Sequence, residues 1–289
     1  MPKNLLITGA NGQLGNEMRN LLATRKNCFN SFFTDVETLD ITDAKAVSHF
    51  IESNKIDMVV NCAAYTAVDR AEDDMVTCAK LNVDAVGNIA VAAHNFGARV
   101  LHVSTDYVFD GYNHRPYTEE DDTNPKTAYG TTKRDGEKLL LRLAPDSIVI
   151  RTAWLYSPYG HNFVKTMIKL GTEKEALNVV CDQIGTPTSA ADLAAAIFTV
   201  ISADEWHPGI YHFSDEGACS WYDFTKAIHR IAGIDTCKVA PVRSHEYPTR
   251  AIRPFYSILD KTKIKQTYGI EIPHWEESLE KCIKAIKNS

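Results

Sequence analysis

Cysteines at metal-ligand spacing are missing from this chain. Its seven cysteines (28, 62, 78, 181, 219, 237 and 282) are odd in number and scattered, with no C-x-x-C pair. That argues against a structural zinc site and a disulfide framework, and it suits a reducing compartment. The ten histidines show no ligand spacing either, and His102, inside an apolar run, reads as a satisfied core residue. Long apolar runs are also absent. The longest, LAAAIFTVI at 193–201, is far short of the ~20 residues that cross a bilayer. The N-terminus enters NLLITG without the charged and apolar regions of a signal peptide. Positive charge is not in excess: 31 Lys and Arg against 37 Asp and Glu leave a net charge of −6. Neither nucleic acid nor a membrane is therefore an expected partner. A soluble, cytoplasmic protein is the expectation.

What the chain does contain is alternation. NLLITG (4–9) leads to a helix from about Gly12 to Thr24, and SFFTD (31–35) to a helix over 43–54. MVVNCAA (58–64) precedes one long helix from about Ala71 to Phe96. RVLHVSTD (99–106), a helix over 128–144 and SIVIRTAWLY (147–156) complete the series. Continuous apolar strands between helices predict a parallel sheet covered on both faces, a doubly wound α/β fold of Rossmann type. After Tyr156 prolines become frequent and the rhythm breaks. DQIGTPTSAADLAAAIFTVI (182–201) reads as a strand-like turn and a helix that return to the sheet. The expected division is a dinucleotide-binding domain of residues 1–156 plus about 182–204, and a smaller α/β substrate lobe of about 157–181 plus 205–289.

GANGQLG (9–15) sets Gly9, Gly12 and Gly15, with Asn11, Gln13 and Leu14 between them, where the first strand turns into the first helix. Such a turn lets backbone N–H groups approach a pyrophosphate at a helix N-terminus. Asp35, 20 residues beyond Gly15, stands where a carboxylate binds the adenosine ribose hydroxyls. VETLDITD follows without Arg or Lys to receive a 2′-phosphate, so NADH should serve at least as well as NADPH. Asp40 and Ile41 are placed to flank the adenine. Ala63 and Ala64 are small where a cofactor must pass, or small for helix-to-sheet contact. Ser104, Thr105 and Asp106 end the fourth strand, so they either face the ligand cleft or cap a loop. Tyr129 and Lys133, four apart, share one helix face. They are either an exposed pair or a phenol beside a positive charge.

Seven segments taken together resolve these alternatives: NCAAYTAVDRAE (61–72), STDYVFDG (104–111), YGTTKRDGE (129–137), RTAWLY (151–156), NFVKTM (162–167), DQIGTPT (182–188) and RP (253–254). They resemble the extended short-chain dehydrogenase/reductases, which act largely on nucleotide sugars, and within them the dTDP-4-dehydrorhamnose reductase family. The resemblance implies NADPH or NADH as cofactor and a dTDP-sugar as substrate. The implied reaction reduces the 4-keto group of dTDP-4-dehydro-L-rhamnose to give dTDP-L-rhamnose. Tyr129 would donate the proton, Lys133 would hold the nicotinamide ribose and lower the phenol's pKa, and Thr105 would hydrogen-bond the substrate oxygen. Tyr65 and Asn82 join the implied cofactor set.

On the substrate side the resemblance points to Asp106, Trp154, Asn162, Lys165 and Arg253. Trp154 would pack on the sugar ring or anchor one lobe to the other. The three polar residues would meet the diphosphate or serve as interlobe contacts. Some relatives bridge a homodimer with a metal held by glutamates. Glu17 is in the matching helix, but Ala190 and Ala191 stand where an acid is needed, so no metal ligand is expected, and a homodimer would not depend on one. A 4,6-dehydratase would carry Asp-Glu where this chain has Asp106-Tyr107, and an epimerase a serine-rich stretch. A non-catalytic subunit like the β subunit of methionine adenosyltransferase would not require Tyr129, Lys133 and Thr105.

Overall fold

The computed structural model describes residues 2–25 and 28–288. The first half runs β1 (Lys3–Thr8), α1 (Gln13–Thr24), β2 (Phe29–Thr34), α2 (Ala44–Ser53), β3 (Met58–Asn61), α3 (Val68–Ala71), α4 (Met75–Ala79), α5 (Ala85–Phe96) and β4 (Arg99–Thr105). There follow α6 (Ala128–Leu143), β5 (Ile148–Thr152), β6 (Leu155–Tyr156), α7 (Phe163–Glu173), β7 (Ala176–Val180), β8 (Ile184–Gly185), β9 (Thr188–Ser189) and α8 (Ala190–Ser202). The chain ends with β10 (Gly209–His212), β11 (Cys219–Ser220), α9 (Trp221–Ala232), β12 (Lys238–Val242), α10 (Thr262–Tyr268) and α11 (Trp275–Lys287). Among the described residues no helix is long and apolar enough to cross a membrane.

Six strands form the central sheet in the order β10-β5-β4-β3-β1-β2, every neighbouring pair parallel. This is the doubly wound α/β architecture that the apolar strands imply. Helices α1 and α8 cover one face, with Leu14, Met18, Leu193 and Ile197 packed on Leu5, Ile7, Val60 and Ile148. Helices α2, α5 and α6 cover the other, with Val47, Ile51, Ile89 and Leu140 on Leu6, Val59, Val100 and Val149. Each aliphatic side chain so buried contributes roughly 1.5–3 kcal/mol. A further core joins α7, α9 and α11 through Val164, Phe224, Ile228 and Leu279. The chain passes from β1 outward to β2 and then back to β3 on the other side. The carboxyl ends of β1 and β3 therefore open a crevice between diverging connections, where such sheets bind ligands.

Three elements differ from expectation. The sixth strand, β10, comes from the stretch assigned to the second lobe, and it pairs with β5. The single helix over 71–96 is instead α3, α4 and α5, with a π-helical turn at Lys80–Asp84. The wider i→i+5 spacing of that turn accompanies the burial of Asn82, 1 % exposed. The strand over 147–156 breaks after Thr152, because Trp154 adopts a left-handed backbone with φ of +48°. The chain then leaves the main sheet, and β6 pairs with β9.

Candidate active site

The glycine turn is the first part of the site. Gly9 has φ of +63°, and a Cβ there would stand 2.7 Å from Ala63 N. A Cβ on Gly15 would stand 2.5 Å from Ala10 Cα. Only glycine lets β1, α1 and the β3 connection approach so closely, and the resulting hollow presents the N-terminus of α1. Such a hollow fits a pyrophosphate, since the first N–H groups of a helix lack partners within it. Beside the turn, Asp35 Oδ2 accepts the Asn11 N–H at 2.9 Å and Oδ1 accepts the Val36 N–H at 2.9 Å.

The adenine side departs from the sequence reading. Ile41 is 5 % exposed and packs into the α2–α5 core, so its side chain is not free to face a base. Asp40 is exposed, and its Oδ1 accepts the Thr42 N–H at 2.9 Å. Asn82 also turns inward. Its Oδ1 takes the Tyr65 N–H at 2.9 Å, and its Nδ2 donates to Tyr65 O and to the Thr132 hydroxyl, each at 3.2 Å. It ties the Tyr65 connection to α6 and has no side-chain atom left over for a ligand.

From the turn a cleft of about 1040 Å³ opens across the carboxyl ends of the strands. Gly9, Gly12, Gln13, Leu14, Gly15, Ala64, Thr105, Asp106, Tyr129, Lys133, Trp154, Asn162 and Arg253 all line it. Ala63, Tyr65, Asn11, Asp35 and Lys165 stand behind or beside that lining. The helix that brings Tyr129 and Lys133 is fixed at its first turn. Thr127 Oγ1 accepts the Gly130 N–H at 3.0 Å, and Glu72 Oε1 accepts the Ala128 N–H at 2.9 Å. Further along, Glu137 forms a buried 2.8 Å ion pair with Arg151 of β5.

Tyr129 is 8 % exposed and packs edge to face on Tyr107, ring centroids 5.5 Å apart. Burial raises its phenol above the ordinary value, and a hydrogen bond with the Thr105 hydroxyl is what opposes the rise. In this ligand-free state burial outweighs whatever lowers it. Lys133 Nζ is turned into the sheet, 2.7 Å from Val103 O and 3.1 Å from His102 Nε2. Thr105 donates its hydroxyl proton to Asp106 Oδ1 at 3.0 Å. Asp106 is fully buried, which pushes its carboxyl up to about 6 against the Ser257 and Thr105 hydroxyls.

The far side of the cleft is aromatic and polar. Trp154 stacks on Trp221 of α9, ring centroids 3.4 Å apart, and also lines the cleft. Asn162 caps α7 by accepting the Lys165 N–H at 3.1 Å, while its Nδ2 donates to Gln13 Oε1 at 2.9 Å. Lys165 Nζ donates to Pro158 O at 3.2 Å. Arg253 Nη1 donates to the Tyr107 hydroxyl at 2.9 Å, and its Nη2 is paired with Asp69 of α3. Asp69 and Trp221 lie in the site and are absent from the sequence reading, and Tyr107, which entered that reading only as a mark against a dehydratase, lies there too. Asp69 sits within NCAAYTAVDRAE and Tyr107 within STDYVFDG, so the segments were visible while the pairings were not. Among the described residues no group of three or more His, Cys, Asp and Glu side chains is placed to hold a metal ion.

The chain has relatives along its full length. A family model described as the RmlD substrate binding domain matches residues 3–288. A dTDP-4-dehydrorhamnose reductase from Aggregatibacter actinomycetemcomitans is 42 % identical over 284 residues, covering 95 % of this chain and 96 % of that protein. The crystal structure of a dTDP-4-dehydrorhamnose reductase from Clostridium acetobutylicum matches with a TM-score of 0.94 at 45 % identity, covering 98 % of this chain and 99 % of that one. One from Bacillus anthracis, solved in complex with NADP, matches with a TM-score of 0.94 at 38 % identity, covering 99 % and 100 %.

Proposed function

The chain belongs to the RmlD substrate binding domain family, and on that footing we propose that it is an NAD(P)H-dependent reductase acting on dTDP-4-dehydro-L-rhamnose. It reduces the 4-keto group and releases dTDP-L-rhamnose. The observation that carries this is the meeting of the glycine hollow and Tyr129 in one cleft, in a chain whose relatives of 35–42 % identity include several dTDP-4-dehydrorhamnose reductases.

In this reading Gly9, Gly12 and Gly15 present the N-terminus of α1 to the pyrophosphate, and Asp35 receives the adenosine ribose. The nicotinamide, when bound, supplies the hydride. Tyr129 then places its phenol proton on the oxygen of the reduced carbonyl. Burial keeps that phenol protonated through the neutral range, so the acid is in place when substrate arrives; a positioned acid contributes roughly 10²–10⁴-fold. Thr105 steadies the phenol, and Lys133 stands by the nicotinamide ribose.

Trp154 and Asp106 face the sugar. Arg253 is the cation for the diphosphate, and its ion pair with Asp69 holds it at the rim until the substrate competes for it. The dinucleotide half comprises residues 1–156 and about 182–204, joined by β10, and the remainder forms the substrate half. The protein works in the cytoplasm as a homodimer.

Turnover tests the proposal. Reduced cofactor should be oxidised in proportion to dTDP-L-rhamnose formed. No oxidation with the 4-keto sugar nucleotide, in protein that binds the cofactor, would reject it.

A further inference from the structure

A polar chain runs beneath Lys133, and its donors and acceptors can be followed atom by atom. Asn61 Oδ1 accepts the Ala63 N–H at 3.1 Å and the Thr8 hydroxyl at 2.7 Å. The Ala63 N–H can only donate, so that atom is the carbonyl oxygen. The amide nitrogen Nδ2 is then the atom facing His102 Nδ1, 3.0 Å away. An amide N–H donates as well, so Nδ1 accepts and the neutral imidazole carries its proton on Nε2. That proton points at Lys133 Nζ, 3.1 Å away.

An ammonium offers three donors and no acceptor, so facing an N–H it forms no bond. A free amine has a lone pair for the Nε2–H and still donates to Val103 O. Thr8, Asn61, His102 and Lys133 are each at most 1 % exposed, so bulk water does not relieve a clash of donors. We infer that Asn61 and His102 are positioning residues that hold Lys133 as a free amine in the ligand-free protein, and so set when this lysine carries charge.

Burial favours that arrangement, and the nearby charges oppose it. Burial pushes Lys133 down to about 8, while Glu137 on α6, Cys78 on α4 and Cys62 beyond β3 act the other way. Glu137 is already bound to Arg151. Burial holds His102 well below the ordinary histidine value, so a doubly protonated imidazole is not the resting form.

Asn61→Asp is the direct test, because the carboxylate accepts at both ends. It can keep the Ala63 and Thr8 bonds and take a proton from His102 Nδ1, leaving Nε2 to accept from an ammonium. His102→Gln is a second route, since a side-chain amide is free to turn its oxygen toward Nζ. The readout is ¹³C NMR of lysine-labelled, full-length, ligand-free protein across a pH series, with the Lys133 signal identified by its loss in Lys133→Met. In the unmodified protein Lys133 should titrate below the surface lysines. In the folded variants its midpoint should rise by roughly one pH unit or more, a tenfold gain in proton affinity. Titration together with the surface lysines in the unmodified protein would overturn the inference, as would an unmoved midpoint in the variants that fold. No cofactor or substrate is present, so the outcome is separable from that of the reductase proposal.

Discussion

Asp35 is fastened to Asn11 by the backbone: its Oδ2 accepts the Asn11 N–H at 2.9 Å while Oδ1 accepts the Val36 N–H. A carboxylate held in this way stays next to the glycine turn rather than swinging into solvent. It suits a free ribose 2′-hydroxyl and repels a 2′-phosphate, although exposed charge is screened within about 10 Å at ordinary salt. With the repulsion weakened by screening, both cofactors should be used, with a modest NADH preference. Asp35→Ala should narrow it. Values of kcat/KM for NADH and NADPH decide the point, and a strong NADPH preference in the unmodified protein would place Asp35 away from the ribose.

Tyr129→Phe should lower kcat by roughly 10²–10⁴-fold and leave cofactor affinity close to that of the unmodified protein. The phenol acts on the transition state rather than on the bound cofactor. Single-turnover kinetics alongside a cofactor titration separate the two effects. Turnover near the unmodified rate would remove the acid role from Tyr129.

Gly15→Ala should weaken cofactor binding by about tenfold or more, because the added Cβ would press on Ala10 Cα at 2.5 Å and overpacking of this kind costs roughly 1–3 kcal/mol. Both backbones belong to the hollow itself, so binding falls before the sheet does. Calorimetric titration of the cofactor, with a thermal melt as control, reads both quantities.

A stability prediction concerns Asp215, which is fully buried. Its Oδ2 accepts the Ser189 N–H at 3.0 Å, and Oδ1 has no hydrogen-bond partner among the described residues. Burial first, and the Asp192 charge second, raise its carboxyl from 3.8 to about 8. The folded protein therefore keeps a proton that the unfolded chain loses above about pH 4. This group's contribution to stability declines as pH rises from about 4 to about 8 and is level beyond. Asp215→Asn removes the decline. The variant should gain on the unmodified protein by at least about 1 kcal/mol at pH 8, a one-unit shift being ~1.4 kcal/mol, and lose that advantage near pH 4. Denaturant midpoints at the two pH values check the sign.

Much of this site can be read from local pattern. The glycine turn, Asp35, and the Tyr129–Lys133 spacing are set by neighbours in sequence, and all of them fall around one crevice. What could not be read depends on contacts between distant segments. Ile41 looked available to a base until the α2–α5 core enclosed it. Asn82 is drawn inward by a π-helical turn whose widening no residue pattern signals. Strand β10 has the composition of a loop-rich region and becomes a strand because β5 offers a free edge. The Arg253–Asp69 pair spans most of the chain. His102 read correctly as a satisfied core residue, but its partners, which give it a bearing on Lys133, come from another strand and from α6.

The most direct measurement follows the hydride. Cofactor carrying deuterium at the reactive carbon of the nicotinamide is incubated with the protein and dTDP-4-dehydro-L-rhamnose, and the product is examined by NMR and mass spectrometry. The account predicts one deuterium on C4 of the sugar in dTDP-L-rhamnose, with oxidised cofactor in equal amount, and almost no product from Tyr129→Phe in the same time. Deuterium at another carbon, or a sugar nucleotide recovered unreduced, would contradict it.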